Sequence, residues 1–225
     1  MNKPPQNLSI EELAERLPQE FRKAFNAEYK QRSSKSGKLR VYSDGCFDLF
    51  HYGHARQFEQ VKNMFPNVEL IVGVCSDVDI KNNKGMNVMN DYERCEAVRH
   101  CKWVDEVIPK APWLPTLDFL DLHKIDFIAH DAVPYPTPGN DDCYHPIKLA
   151  GRFLPTLRSA EISTTDLLVR VLRDKDEYYD RNFSKGYTLK DFKMGYIEYA
   201  MYLGRKVMGK IVNGLEKTVR KEKEE

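Results

Sequence analysis

The sequence predicts an α/β protein built on a doubly wound, Rossmann-like parallel sheet, with helical segments at both ends. Three observations carry the prediction. From Leu39 to Ala129, short apolar runs alternate with amphipathic stretches, the pattern of parallel strands covered by helices on both faces. A glycine-flanked histidine pair sits where the first strand candidate gives way to a helix candidate, in Asp44 to His54 (D-G-C-F-D-L-F-H-Y-G-H). Polar groups also follow later strand candidates, at Cys75-Ser76-Asp77 and His130-Asp131. In this class ligands bind beyond the carboxyl ends of strands, so the three groups are expected to share one crevice.

Composition sets the bounds. A chain of 225 residues suffices for one sizeable α/β domain with appendages. A net charge of +1 gives no overall bias towards nucleic acid. No apolar run approaches the ~20 residues that span a bilayer, and Met1 to Pro5 lacks an apolar signal core. The five cysteines are odd in number and lack zinc-site spacing. They read as reduced thiols of a cytoplasmic or nuclear protein.

Residues 1–38 read as a helical appendage. Ser9 with Glu12 forms a capping box. Leu13, Leu17, Phe21 and Phe25 then recur at helical spacing, with a break near Pro18. Ser33-Ser34-Lys35-Ser36-Gly37 reads as a linker. The central domain is expected over 39–190. Its strands are predicted at Leu39–Ser43, Glu69–Cys75, Glu106–Ile108 and Asp126–Ala129, and its helices at His54–Phe65, Asp91–His100 and Pro115–His123. The stretch Val133 to Pro155, rich in Pro, Gly, Asn and Asp, reads as a long ordered loop beside the site. Ser163-Thr164-Thr165-Asp166 opens a further helix through Leu172, and Asp174 to Ser184 is a connection. The third segment, 191–225, belongs to a last helix from Lys190 to about Val219. Its apolar stripe is Tyr196, Tyr199, Leu203, Val207, Ile211, Leu215 and Val219, beside Lys206, Lys210, Lys217 and Arg220. Such a helix suits a dimer contact, core packing or an anionic membrane surface.

A strand, a tight turn and a helix form a context in which a loop cradles phosphate. Gly45 and Gly53 permit close backbone approach or positive φ, and the helix start offers unpaired N–H groups. His51 and His54 flank Gly53, so both imidazoles are placed to reach one anion, each as a donor and either as a cation near neutral pH. Lys84 lies in a polar loop, K-N-N-K-G. Arg158, with the hydroxyl-rich start at Ser163 and Thr164, reads as a second anion site.

These residues resemble a known family. The His-x-Gly-His stretch is similar to the signature of nucleotidyltransferases, and its flanks resemble those of choline-phosphate cytidylyltransferases. Lys84, Ala111-Pro112-Trp113, Ile125 to Asp131, and Arg158 with Ile162-Ser163-Thr164-Thr165 recur in family order, over about residues 39–190. The resemblance implies cytidylyl transfer from CTP to phosphocholine, giving CDP-choline and pyrophosphate. Phosphoethanolamine or glycerol phosphate is the alternative acceptor, and a catalytically weak membrane-surface regulatory module the alternative role.

By resemblance, His51, His54, Lys84 and Arg158 are catalytic. CTP is implied to meet Asp44, Gly45, Cys46, Phe47, His54, Lys84, His130, Asp131, Tyr135, Arg158, Ser159, Ile162, Ser163 and Thr164. Phosphocholine is implied to meet Lys84, Trp113, Asp131, Tyr135 and Tyr144, because a quaternary ammonium is recognised by aromatic faces and carboxylates. Mg²⁺ is expected with the triphosphate and not tightly held, and no dedicated metal site is predicted. A homodimer with Arg40-Val41-Tyr42 near its interface is also implied, as is reversible membrane association. One stretch departs from the family. Where Arg-Thr-Glu-Gly-Ile-Ser-Thr is usual, this chain reads Arg158-Ser159-Ala160-Glu161-Ile162-Ser163-Thr164. If the replaced glycine needs positive φ, Glu161 costs on the order of 1 kcal/mol, and its carboxylate repels triphosphate.

Overall fold

The computed structural model describes residues 9–34, 37–136, 141–160 and 162–222. It divides into two compact units, Met1–Thr164 and Thr165–Glu225. In the first, α1 (Ile10–Glu15) and α2 (Gln19–Ser33) precede β1 (Leu39–Gly45), α3 (Tyr52–Lys62), β2 (Val68–Cys75), α4 (Asp77–Asn83), α5 (Asp91–Arg99) and β3 (Glu106–Ala111). There follow α6 (Leu117–Leu122), β4 (Phe127–Asp131), α7 (His145–Leu149) and β5 (Phe153–Thr156). The helix α8 (Thr164–Arg173) starts at the boundary, and α9 (Lys175–Ser184) and α10 (Tyr196–Glu222) complete the second unit.

The five strands form one sheet in the order β3-β2-β1-β4-β5, and all four neighbouring pairs are parallel. The winding reverses between β1 and β4, which places a ligand crevice at their carboxyl ends. Those ends carry Asp44-Gly45 and His130-Asp131. Local chemistry sets several helix starts. Ser9, Ser76, Asn90 and Thr116 each accept a backbone N–H three residues on, which satisfies donors the helix leaves unpaired. The capping box at Ser9 and Glu12 is present as expected.

The core runs along both faces of the sheet, with Val41, Leu70, Ile71, Val72, Phe127 and Ile128 fully buried. Gly73 has a packing reason: a Cβ there would lie 1.9 Å from the hydroxyl of buried Tyr42. The amino-terminal helices belong to this core, since Leu13, Leu17, Phe21 and Phe25 are buried in it.

Several expectations change. Val133 to Pro155 is not one long loop, for α7 and the start of the fifth strand lie inside it. Lys84 is not in a loop but caps the end of α4, an unexpected helix. The connection expected at Asp174 to Ser184 is helical as α9 from Lys175, with Asp174 as its N-cap. His130 and Asp131 lie within β4 rather than after it. Of the trio expected at a subunit interface, Val41 and Tyr42 are fully buried inside the sheet. Only Arg40 reaches the surface, where it bridges Glu69 and Glu106. Lys35 and Ser36 of the linker lie outside the described residues.

In the second unit, Tyr179, Phe183, Phe192, Tyr199 and Tyr202 form an aromatic cluster. Ion pairs join Arg205 to Asp176 and Lys206 to Asp180. The α10 stripe is largely exposed at Tyr196, Leu203, Val207, Ile211 and Leu215, while Tyr202 turns inward. No helix among the described residues is long and apolar enough to cross a membrane.

Candidate active site

The site starts at the β1–α3 junction. His51 is the cap of α3, and its Nδ1 accepts the N–H of Gly53 at 3.1 Å. His54 Nδ1 accepts the N–H of His51 at 3.3 Å. With both Nδ1 atoms accepting, each neutral ring carries its proton on Nε2, and Nε2–H is the donor it offers. The rings stack with centroids 3.8 Å apart. Gly53 makes this possible by close approach rather than positive φ, because a Cβ there would come within 2.9 Å of the His51 ring and of Ile162. Burial, then the neighbouring His51 and Lys84, lowers the His54 pKa to about 3. The free site therefore holds His54 neutral, contrary to the charge the sequence allowed.

Two buried side chains that the sequence did not single out lock the junction. Asp48 accepts the N–H groups of Leu49, Val88 and Met89 at 3.1, 2.9 and 2.9 Å. Arg94, fully buried, donates to Met89 O, Cys46 O and Asp77 Oδ1 at 3.1, 2.8 and 2.7 Å. Together they join the histidine loop to the segment after α4, and so fix the approach of Lys84. Phe47 and Leu49 take left-handed backbone at φ 53 and 46. The turn places the Phe47 ring against Gly45 and edge-on to His54.

Beside the junction lies a hollow of about 110 Å³ lined by Asp44, Gly45, Cys46, Cys75, Lys84, Trp113, His130, Tyr135, Cys143 and Tyr144. Lys84, which shifts the titration of both Cys46 and His54, connects the hollow electrostatically to the imidazoles. Asp44 is buried, and its Oδ2 accepts the Tyr144 hydroxyl at 3.0 Å. Its Oδ1 is buried with no hydrogen bond. Burial pushes this carboxyl above its ordinary range, against the pull of His130 and the Tyr144 hydrogen bond. Burial pushes the Cys75 and Cys143 thiols up to about 12, which makes them poor nucleophiles. The fold thus assembles an aromatic hollow with one under-satisfied carboxylate, next to neutral N–H donors and a lysine.

The β5–α8 connection lies against the same junction. Gln60 on α3 exchanges two hydrogen bonds with Leu157, at 2.8 and 2.9 Å. Thr164 donates its hydroxyl to Asp48 O at 2.9 Å, and the Ile162 side chain lies over Gly53. Ser159 and Ser163 are half-buried. Arg158 is exposed, and no hydrogen bond or ion pair joins it to the described residues. Glu161 lies outside the described residues.

Most predicted residues therefore converge. Asp44, expected to meet the nucleotide, stands in the wall of the aromatic hollow. Asp131 does not line that hollow and instead approaches His130 Nδ1 at 3.7 Å. Asp48 and Arg94 were missed, and the alternation of strands gave no signal for either. Among the described residues no group of three or more His, Cys, Asp or Glu is arranged to hold a metal.

Comparison with known proteins follows the same lines. Residues 42–170 match the family model described as cytidylyltransferase-like. Choline-phosphate cytidylyltransferase A of Rattus norvegicus is 54% identical over 164 residues, 73% of this chain and 45% of that protein. The choline-phosphate cytidylyltransferase of Saccharomyces cerevisiae is 46% identical over 183 residues, 81% of this chain and 43% of that one. The ethanolamine-phosphate cytidylyltransferase of Mus musculus is 43% identical over 134 residues, 60% of this chain and 33% of its own. The chain spans about half the length of the choline-phosphate relatives it matches. With more than half its residues inside the matched span, on a parallel sheet whose switch point carries the histidine pair, the chain belongs to the cytidylyltransferase-like family.

Proposed function

We propose that this chain transfers the cytidylyl group of CTP to phosphocholine, giving CDP-choline and pyrophosphate. One observation carries the choice of acceptor: the hollow combines Trp113, Tyr135 and Tyr144 with a buried Asp44 oxygen that lacks a hydrogen bond. A quaternary ammonium donates no N–H, so aromatic faces and a carboxylate are the groups that recognise it. A primary ammonium would instead call for several hydrogen-bond acceptors around its three N–H groups. The higher identity to choline-phosphate than to ethanolamine-phosphate relatives supports the same choice.

In this reading a phosphocholine oxygen attacks the α-phosphorus of CTP, a new P–O bond forms, and the bond to pyrophosphate breaks. No covalent enzyme intermediate is required. The Nε2–H groups of His51 and His54 and the Lys84 ammonium stabilise charge that builds on the phosphate oxygens. Arg158, Ser163 and Thr164 flank the triphosphate. Mg²⁺ arrives with the triphosphate as part of the substrate.

Homodimer formation and attachment of the exposed α10 stripe to anionic membrane belong to the same proposal, with a cytoplasmic or nuclear setting. Light scattering and vesicle flotation test the first two. The activity is tested by pyrophosphate release from CTP with phosphocholine, phosphoethanolamine or glycerol 3-phosphate in competition. Phosphocholine is expected to dominate, and preference for either other acceptor overturns the assignment.

A further inference from the structure

We infer that the buried Asp142–Lys148 pair is the positioning device of the acceptor hollow, setting the affinity for a quaternary-ammonium phosphate by fixing Tyr135 and Tyr144. The inference rests on the acceptor reading of the hollow given above. Both tyrosines line that hollow, whereas Asp142 and Lys148 do not.

The geometry divides the Asp142 carboxylate between two tasks. Oδ2 accepts the Lys148 ammonium at 2.7 Å. Oδ1 accepts the backbone N–H of Tyr144 at 3.1 Å and that of Tyr135 at 3.3 Å. The carbonyl of Tyr135 accepts the N–H of Cys143 at 3.0 Å, so Tyr135 is held through both its backbone polar groups. Lys148 is 2% exposed, and its ammonium lies over the Phe153 ring at 4.7 Å. The Phe153 ring in turn packs 5.6 Å from that of Tyr144. Lys148 N–H donates to the Tyr144 carbonyl at 2.9 Å, which closes the circuit.

A buried ion pair is a weak source of net stability beside apolar side chains of similar volume. This one instead ties two separate tyrosines to a single carboxylate. The oxygen that reaches the tyrosines does not face the lysine, so their spacing depends on how the lysine holds the carboxylate.

The test compares paired variants of the full chain. Asp142→Leu with Lys148→Met removes both charges and the shared acceptor oxygen. Asp142→Asn with Lys148→Met removes both charges but keeps an oxygen for the tyrosine N–H groups. The first pair is expected to raise KM for phosphocholine about tenfold, with KM for CTP within about twofold. The second is expected to recover most of that loss. An acceptor KM equal to wild type in the first pair, or parallel changes in kcat and both KM values, overturns the inference, since general loosening has that signature.

Should the first pair not fold, Asp142→Glu carries the test, because it keeps the pair but moves the oxygens out by a methylene. A several-fold rise confined to the acceptor KM supports the inference, and unchanged values overturn it. Wild-type turnover with phosphocholine is the control. Its absence defeats the acceptor reading, whereas normal turnover with unaffected variants defeats only the positioning role.

Discussion

In the proposed reaction the β1–α3 and β5–α8 junctions meet the same triphosphate, and they differ in internal order. At β1–α3 each imidazole is aimed by a backbone N–H to its Nδ1, and Asp48 and Arg94 hold the loop from beneath. At β5–α8 the connection is anchored by the Leu157 backbone and the Thr164 hydroxyl, but Arg158 projects from the surface without a described partner. Donors fixed before substrate arrives need no reorganisation in the transition state. A flexible cation contributes mainly after it has been ordered by an anion, and loses side-chain entropy in doing so. Under the proposed reaction, the first junction suits the reacting phosphorus and the second suits holding the triphosphate.

Substitutions can break this contrast. The largest effect is expected from His54→Ala, with kcat down by about 10²–10³, the scale for loss of one fixed donor. Near-normal turnover of the folded variant would remove the first junction from the chemistry. Arg94→Met comes next. It strips three partly buried hydrogen bonds and leaves Asp77 without its guanidinium, a loss on the order of 3 kcal/mol. Urea unfolding checks the stability term, and a raised KM for CTP would show that Lys84 has lost its support. Arg158→Ala is expected to raise KM for CTP about tenfold with no change in Tm, since it breaks no described contact. A fall in both Tm and kcat would make the two junctions alike.

The pH dependence sharpens the comparison from the side of stability. His54 has a folded pKa near 3, below its ordinary value of 6.5. Protons therefore bind the unfolded chain first. The stabilisation is full above pH 6.5 and is lost as pH falls from there towards 3, by an amount on the order of a few kcal/mol. The slope of urea midpoint against pH in that window is expected to flatten in His54→Gln, and an unchanged slope would remove His54 as its source. Arg158→Ala is expected to leave it intact.

The sequence displayed much of this. Alternating apolar runs located four strands to within a few residues, and the histidine spacing located the crevice. Trp113, Tyr135 and Tyr144 were picked out by the family resemblance together with their chemical type. What stayed hidden depends on distance along the chain. Arg94 pairs with Cys46 O across 48 positions, and on its own helix it reads as an ordinary exposed arginine. Asp142 and Lys148, only six positions apart, stayed hidden for another reason: each reads as a solvated charge until folding buries them together. The strand β5 has four residues, one of them proline, in a stretch dense with turn formers, so no periodicity could develop. His54 changes character because burial, not sequence, sets its proton affinity.

Proline occurs in both outermost strands, as Pro109 in β3 and Pro155 in β5. Each lacks the N–H that strand pairing uses, and in β5 the Arg152 carbonyl bonds Ile128 of β4, so alternation turns the Pro155 nitrogen to the open edge. Sheet extension is thereby disfavoured at the β5 margin, where crowding at high concentration would otherwise invite edgewise fibres.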